Sequence, residues 1–278
     1  MEDSTFGTSC LNCRTTVNKD QKFCCSCGQK AKTHRLTIPH FLHEAFHAFT
    51  HADKGMFHLL KCLATRPGTT AREYVLGRRK AYFNPFTFFI LIMSVFVFLN
   101  VYTQPPLKPA QPDERVLSRI PTQAGRDTYI ARITRGTQVA QFARANGNIL
   151  AMIAIPFISL ITWLFYRKKR LNYAEHLTAN MMFISFSNLL FAVFVLLLRS
   201  MAGNTPGVQG LGFLLQVGYL WWSLNGFLDL RQVRSRAKSL AVSFLSILLW
   251  IILSIIAMAV FIYRDWDFYK FFNRFAGS

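Results

Sequence analysis

The sequence predicts an all-α membrane protein with about five transmembrane helices, preceded by a small N-terminal cysteine-rich module and amphipathic juxtamembrane helices. The composition is 52% hydrophobic with only 16% charged residues, which is too apolar for an ordinary soluble domain of this length. Five charge-free apolar intervals follow one another along the chain, and none shows the alternation of barrel strands. Backbone groups in hydrocarbon must be paired within their own segment, so these intervals are expected to be helices.

The N-terminal module, residues 1–32, carries two C-x-x-C pairs. The four cysteines of these pairs are Cys10, Cys13, Cys24 and Cys27. Each pair can place two thiolates of a tight turn on one tetrahedral ion, so the pattern predicts a structural zinc ribbon, with iron as the alternative. Disulfides between these cysteines are not expected in a reducing cytosol. Cys25 lies inside the second pair and Cys62 lies far downstream, and both are expected to be free thiols.

The following region, residues 33–84, is expected to be amphipathic, His-rich and basic, and to lie at the membrane surface. Residues 37–52 have the periodicity of an amphipathic helix, with an acidic residue among the histidines of its polar face. These polar residues are His40, His43, Glu44, His47 and His51. Imidazoles at this spacing can share a metal ion or a proton, and residues 43–47 match the H-E-x-x-H string of zinc metalloproteases. We favour the simpler interpretation, a polar helix face, and assign no catalytic residue.

Further along, Arg66-Pro67-Gly68 is expected to interrupt the chain, which then restarts as a short helix that stops at Gly77. A basic cluster follows, formed by Arg78, Arg79 and Lys80. Basic side chains beside a span can bind anionic lipid headgroups. Simple anchoring of the chain at the cytoplasmic face is the alternative interpretation.

The transmembrane bundle is expected over residues 85–263. Its spans are placed at about 86–101, 148–166, 177–198, 211–228 and 239–263. Lys and Arg are concentrated in alternate short loops, which predicts a cytoplasmic N-terminus and an external C-terminus. The loop 104–147 is then external, although its seven basic and three acidic residues fit that side poorly. Residues 264–278 form a C-terminal tail.

Polar residues at the cytoplasmic start of the third span mark a candidate membrane-entrance site. Glu175 and His176 occupy this position, and solvation at the interface explains them equally well. The formal charge of +19 is spread over every polar segment, so it favours contact with anionic headgroups of the bilayer over nucleic acid. A protein partner could bind through the ribbon.

Several short motifs resemble a bacterial family of membrane proteins catalogued as domain of unknown function 3667. The motifs are Cys10-x-x-Cys13, Phe23-Cys24-x-x-Cys27-Gly28-Gln29, Asp53-Lys-Gly55, Arg66-Pro-Gly68, Glu73-Tyr74 and Gly77-Arg-Arg-Lys-x-Tyr82-x-Asn84-Pro85. The resemblance covers about the first hundred residues and implies a zinc ribbon joined to a multi-pass bundle in the bacterial inner membrane. It implies no activity.

The leading hypothesis is a non-enzymatic membrane protein whose ribbon docks a partner or senses metal, or a lipid-associated module. A membrane metalloenzyme using His43, Glu44 and His47 is the first alternative. A transporter of lipid or a small solute is the second.

Overall fold

The computed structural model of the chain describes residues 9–17, 21–33, 35–38, 55–103, 111–203 and 205–263. The described part is all-helical beyond the cysteine module, which confirms the predicted fold class at this level. The helices are α1 (Gly55–Thr65), α2 (Pro67–Val75), α3 (Pro85–Thr103), α4 (Glu114–Arg119), α5 (Gln123–Ala145), α6 (Gly147–Tyr166), α7 (Tyr173–Leu190), α8 (Leu196–Ala202), α9 (Pro206–Phe227) and α10 (Val233–Tyr263). A short 3-10 turn, Arg167–Lys169, follows α6, and a π-helical segment, Phe191–Val195, joins α7 to α8.

Three helical stretches of the described chain are long and apolar enough to cross a membrane. They are Ile149–Lys169, Tyr173–Arg199 and Val233–Tyr263, and Pro85–Leu99 is a shorter apolar helix. The predicted span 211–228 falls on α9, which is not one of the three because glycine, glutamine, serine and asparagine dilute its apolar residues. A membrane protein is therefore supported, whereas the predicted number of five spans is not confirmed.

Helix α7 lies at the centre of the bundle, where it packs against α2, α3, α6 and α9. Its start is fixed by a capping box, in which the Asn172 side chain accepts the Glu175 N–H and the Glu175 carboxylate accepts the Asn172 N–H. Most of the helix is buried, including Phe183 and Met182. The central position of α7 explains why it carries polar residues that are shielded from lipid.

The short helices α1 and α2 pack on the bundle as a pair. The predicted restart after Arg66 is confirmed, since Pro67 occupies the first turn of α2. Gly77 ends the segment with φ +108°, a backbone conformation that favours glycine. The hydroxyl of Tyr219 on α9 donates a hydrogen bond of 3.0 Å to the Leu63 carbonyl at the end of α1.

Helix α2 approaches α9 closely because glycines meet at the crossing. A Cβ added at Gly68 would lie 2.2 Å from the Ser223 carbonyl oxygen and 2.3 Å from the Phe227 nitrogen. Gly226 faces it, and a Cβ there would lie 3.1 Å from the Gly68 Cα. The Arg-Pro-Gly motif thus serves a backbone-to-backbone contact as well as a chain break.

The segment predicted as an external loop, 104–147, is helical over most of its described part. The Asp113 side chain caps α4 and the Thr122 hydroxyl caps α5. Helix α5 buries none of its residues. Its sequence therefore has no apolar stripe of helical spacing from which a helix could be predicted. The side of the membrane on which it lies stays a prediction, and the tail 264–278 lies outside the described residues.

Candidate metal centre and its contacts with the bundle

Two knuckles of the same backbone design form the cysteine module, called the ribbon below. In the first, the Cys10 N–H donates to the Thr15 carbonyl and the Arg14 N–H donates to the Cys10 carbonyl, at 2.8 and 2.9 Å. In the second, the Cys24 N–H donates to the Gln29 carbonyl and the Gly28 N–H donates to the Cys24 carbonyl, again at 2.8 and 2.9 Å. The residue after each second cysteine has positive φ, 65° in one knuckle and 72° in the other. The repeated turn brings both sulfurs of each pair to one side.

The four cysteine sulfurs fit one tetrahedral ion. All of them lie within 4.8 Å of one another. The Sγ atoms of Cys10 and Cys27 are 3.6 Å apart, and those of Cys13 and Cys24 are 3.5 Å apart. Sulfurs bound to zinc at about 2.3 Å would be about 3.8 Å apart in a regular tetrahedron. A disulfide requires about 2.05 Å, and all of these cysteines are free. Cys25 is exposed and stands outside the cluster.

The protonation of the cluster is uneven. The hydroxyl and backbone of Thr15 lower the pKa of Cys13 to about 6. The Cys27 backbone also favours the Cys24 thiolate, but burial and the neighbouring sulfurs outweigh it and raise the pKa of Cys24 to about 11. Negative sulfurs this close repel, so a proton or a cation must lie between them. The donor set therefore suits a cation that prefers thiolates, such as zinc.

Gln29 joins the ribbon to the loop between α2 and α3, residues 76–84, called the basic loop. Its buried side chain donates from Nε2 to the Gly77 carbonyl at 3.1 Å and accepts the Lys80 N–H on Oε1 at 2.9 Å. Asn12 of the first knuckle accepts a weaker bond of 3.4 Å from the Arg78 Nε. Both knuckles therefore contact the segment that leads into α3.

Glu73 organises the other side of the basic loop. Its carboxylate accepts from the Arg78 guanidinium at 2.8 Å, from the Tyr82 hydroxyl at 2.5 Å and from the Arg66 guanidinium at 3.3 Å. Burial, together with this carboxylate, raises the pKa of Tyr82. The His58 ring stacks on Tyr82 at 5.7 Å between centroids. The motif residues of α2 and the basic loop thus hold one another in place.

A second ion pair joins the chain just after the ribbon to the start of α7. The Arg35 guanidinium donates two bonds to the Glu175 carboxylate, of 2.6 and 2.8 Å, and a third to the Arg170 carbonyl. Hydrogen bonding to this carboxylate raises the pKa of Arg35. The Asn172 side chain donates to the Leu36 carbonyl at 2.8 Å. Residues 35 and 36 are therefore fixed to the same end of the bundle as the ribbon.

The candidate membrane-entrance residues have different surroundings. Glu175 is 3% exposed, and its carboxylate accepts hydrogen bonds from the Arg35 guanidinium and from the Asn172 N–H of the α7 capping box. His176 is fully buried, with Nδ1 3.2 Å from the Thr162 hydroxyl and its ring edge-to-face with Phe227. Thr162 also accepts a bond of 2.9 Å from Asn180. These contacts link α6, α7 and α9, and a membrane-entrance site at Glu175 and His176 stays a prediction.

The possible second metal site, formed by His40, His43, Glu44, His47 and His51, lies outside the described residues and stays a prediction. Within the basic cluster, Arg78 is held by Glu73 and the ribbon, and Lys80 is exposed. Binding of lipid headgroups by Arg78, Arg79 and Lys80 stays a prediction. Buried Cys62 lies outside the ribbon cluster, with Sγ 3.6 Å from the His58 Nε2.

Sequence reasoning missed the roles of Gln29, Glu73 and Arg35. Gln29 and Glu73 were visible as motif positions. The partners of Gln29 lie 48 and 51 positions away, so only the fold identifies them. The partners of Glu73 lie within nine positions, but the turn of the basic loop that brings them to one carboxylate is seen only in the fold. Arg35 pairs with a residue 140 positions away and had no local signal.

Comparison with curated proteins gives no match, and comparison with solved structures gives none. One family match covers α1, α2, the basic loop and most of α3. Its boundaries exclude the ribbon, which the predicted resemblance had included. Residues 53–97 match the family described as Protein of unknown function (DUF3667), which confirms the predicted resemblance for this segment.

Proposed function

We propose that this chain is a membrane-anchored docking module in which the four cysteines hold a structural zinc ion and the folded ribbon fixes the basic loop on the bundle. One observation carries the proposal. Gln29 lies two residues after Cys27, and both ends of its buried amide bond to the basic loop. A ribbon this small has little core of its own, so bound metal supplies its folding free energy. Four thiolates leave no open position for a catalytic water.

The surface of the ribbon favours an acidic partner protein. Its described residues include four basic side chains and no Asp or Glu. The basic residues are Arg14, Lys22, Lys30 and Lys32. Two apolar side chains, Leu11 and Phe23, are 52% and 55% exposed among them. Exposed apolar residues within a charged surface are typical of protein contact sites.

Metal stoichiometry tests the first half of the proposal. We expect one zinc ion per chain, lost when Cys10 and Cys13 are both replaced by Ser. The Cys25→Ser variant is the matched control, since this exposed thiol is outside the cluster, and should keep the ion. Replacing His43 and His47 by Gln should also leave zinc content unchanged. Zinc that depends on the histidines instead would favour the metalloenzyme alternative.

Cross-linking in intact membranes tests the docking role. A photo-reactive residue at position 23 should give a protein adduct that disappears in the Cys10→Ser, Cys13→Ser variant. Position 130 on α5 is the control, because Ile130 is also exposed but lies away from the ribbon in sequence. Adducts with lipid alone at position 23, or an adduct that survives loss of zinc, would contradict the proposal.

A further inference from the structure

A cavity lies in the bundle, remote from the ribbon in sequence, between α3, the end of α5, α6, α7, α9 and α10. Its volume is about 270 Å³, nearly twice the roughly 150 Å³ of an apolar cavity that binds benzene. Most of its lining is apolar, including Met93, Ala154, Phe183, Leu220 and Trp250. A ring and part of a chain would fit this space.

Two amides face the same cavity. The Asn188 Nδ2 donates to the Met93 sulfur at 3.4 Å, and a thioether is a weak acceptor. Gln216 also lines the cavity, and its side-chain amide makes no hydrogen bond with another residue that the structure describes. Polar groups among apolar side chains are costly unless they are paired. In a membrane segment such residues commonly mark a ligand or substrate path. The amides therefore select for a ligand that brings an oxygen.

The backbone beside these amides departs from the α-helix. The π-helical segment Phe191–Val195 begins three residues after Asn188. The Phe191 N–H is shared between the Ser187 and Asn188 carbonyls, and Ser187 also lines the cavity. No proline or glycine lies in this segment to cause the irregularity. Short π-helical segments occur frequently at functional sites.

The depth of the amides restricts the class of ligand. Asn188 lies about 22 Å along the axis from the start of α7, and Gln216 about 17 Å from the end of α9, at about 1.5 Å per residue. The hydrocarbon of a bilayer is about 30 Å thick, so both amides lie well inside it when α7 and α9 are placed across the bilayer, as this proposal requires. Phospholipid ester oxygens stay with the headgroups at the interface and do not reach this level. A neutral lipid whose polar group is itself a ring carbonyl can.

We propose that the cavity binds a neutral membrane lipid of the quinone type, with its ring carbonyl hydrogen-bonded by Asn188 or Gln216 and its tail directed into the bilayer. A carbonyl oxygen replaces the Met93 sulfur as a better acceptor for Asn188. The binding requires no redox step and does not depend on the ribbon.

The test uses the purified full chain in lipid nanodiscs, titrated with a decyl-substituted benzoquinone. Trp250 lines the cavity, so saturable quenching of its fluorescence is expected and should be largely lost in Trp250→Phe. Filling the cavity with Ala154→Phe should abolish saturable binding. The matched control is Ala241→Phe, which makes the same change at an exposed position of α10 and should bind as the natural chain does.

The amides are tested by the ligand as well as by mutation. Replacing both Asn188 and Gln216 by Leu should weaken quinone binding roughly tenfold, the effect of losing one or two hydrogen bonds. Decylbenzene, which has no oxygen, should bind the natural chain about tenfold more weakly than the quinone and be unaffected by the replacement. Non-saturable quenching, or equal affinity for the two probes, would overturn the proposal. If Ala154→Phe aggregates, loss of the saturable signal in Trp250→Phe decides the location.

Discussion

Replacing Gly68 by Ala tests the crossing of α2 and α9 most directly. The added Cβ would meet backbone atoms of α9, namely the Ser223 oxygen at 2.2 Å, the Phe227 nitrogen at 2.3 Å and the Gly226 carbonyl carbon at 2.6 Å. None of these atoms can rotate away as the end of a flexible side chain would. The two helices must therefore move apart, and the buried face of α2 moves with them.

The size of the effect follows from two opposing terms. Ordinary Cβ contacts begin at 3.4 Å, so the 2.2 Å approach demands a separation of about 1.2 Å, which places the overpacking cost near the upper end of about 1–3 kcal/mol. Alanine gains about 1 kcal/mol over glycine as a helix former. The overpacking cost exceeds the gain in helix propensity, and we expect a net destabilisation of about 2 kcal/mol.

Thermal unfolding of the purified chain in detergent measures this difference. Gly226→Ala should cost less than Gly68→Ala, because its nearest contact is 3.1 Å. Gly210→Ala is the matched control on α9, since a Cβ there meets nothing within 4 Å, and should be neutral or slightly stabilising. A Gly68→Ala chain that unfolds at the same temperature as Gly210→Ala would refute the close crossing.

Three further predictions concern the polar contacts at the ribbon end. Gln29→Leu removes the acceptor of the Lys80 N–H and one of the two donors to the Gly77 carbonyl, which keeps the Arg79 N–H. Hydrogen exchange at the Lys80 amide should therefore rise at unchanged zinc content, and unchanged exchange there would contradict the contact. Glu73→Gln should lower the pKa of Tyr82 in an alkaline ultraviolet titration, because the carboxylate helps to raise it. That pKa lies above the unfolded value, so the contribution of Tyr82 to stability is present below about pH 10 and is lost as the pH rises. A double-mutant cycle of Arg35→Gln and Glu175→Gln should give a coupling of at least about 1 kcal/mol in unfolding free energy, and additive effects would exclude the ion pair.

The sequence predicted those features whose cause is local. The cysteine spacing identified all four members of the cluster that the structure brings within 4.8 Å. Pro67 and Gly77 marked the ends of a short helical segment because one fixes φ for a first turn and the other adopts positive φ. Long apolar runs located the helices that can cross a membrane.

Contacts between residues far apart in the chain could not be predicted from local sequence patterns. Helix α9 was predicted only as a span, a prediction that is not confirmed, and nothing in its sequence indicated that Gly226 contacts α2 or that Gln216 lines the cavity. The Gly68 and Gly226 contact joins residues far apart in the chain, and neither position has a signal that names the other. Helix α5 was predicted as a loop because it packs with no buried residue and so lacks the apolar stripe on which helix prediction depends.

The same distinction gives a physical meaning to the motifs of residues 53–97. Arg66, Glu73, Arg78 and Tyr82 belong to these motifs, and of the four only Arg78 was predicted to bind lipid headgroups. In the fold, one carboxylate receives hydrogen bonds from both arginines and the tyrosine. Each of these polar groups thereby has a partner, as partly buried charges require. Because that cluster holds the basic loop on one side and Gln29 holds it on the other, the motifs specify the position of a surface. In the proposed docking function the ribbon presents that surface, and cross-linking at position 23 tests whether a protein binds there.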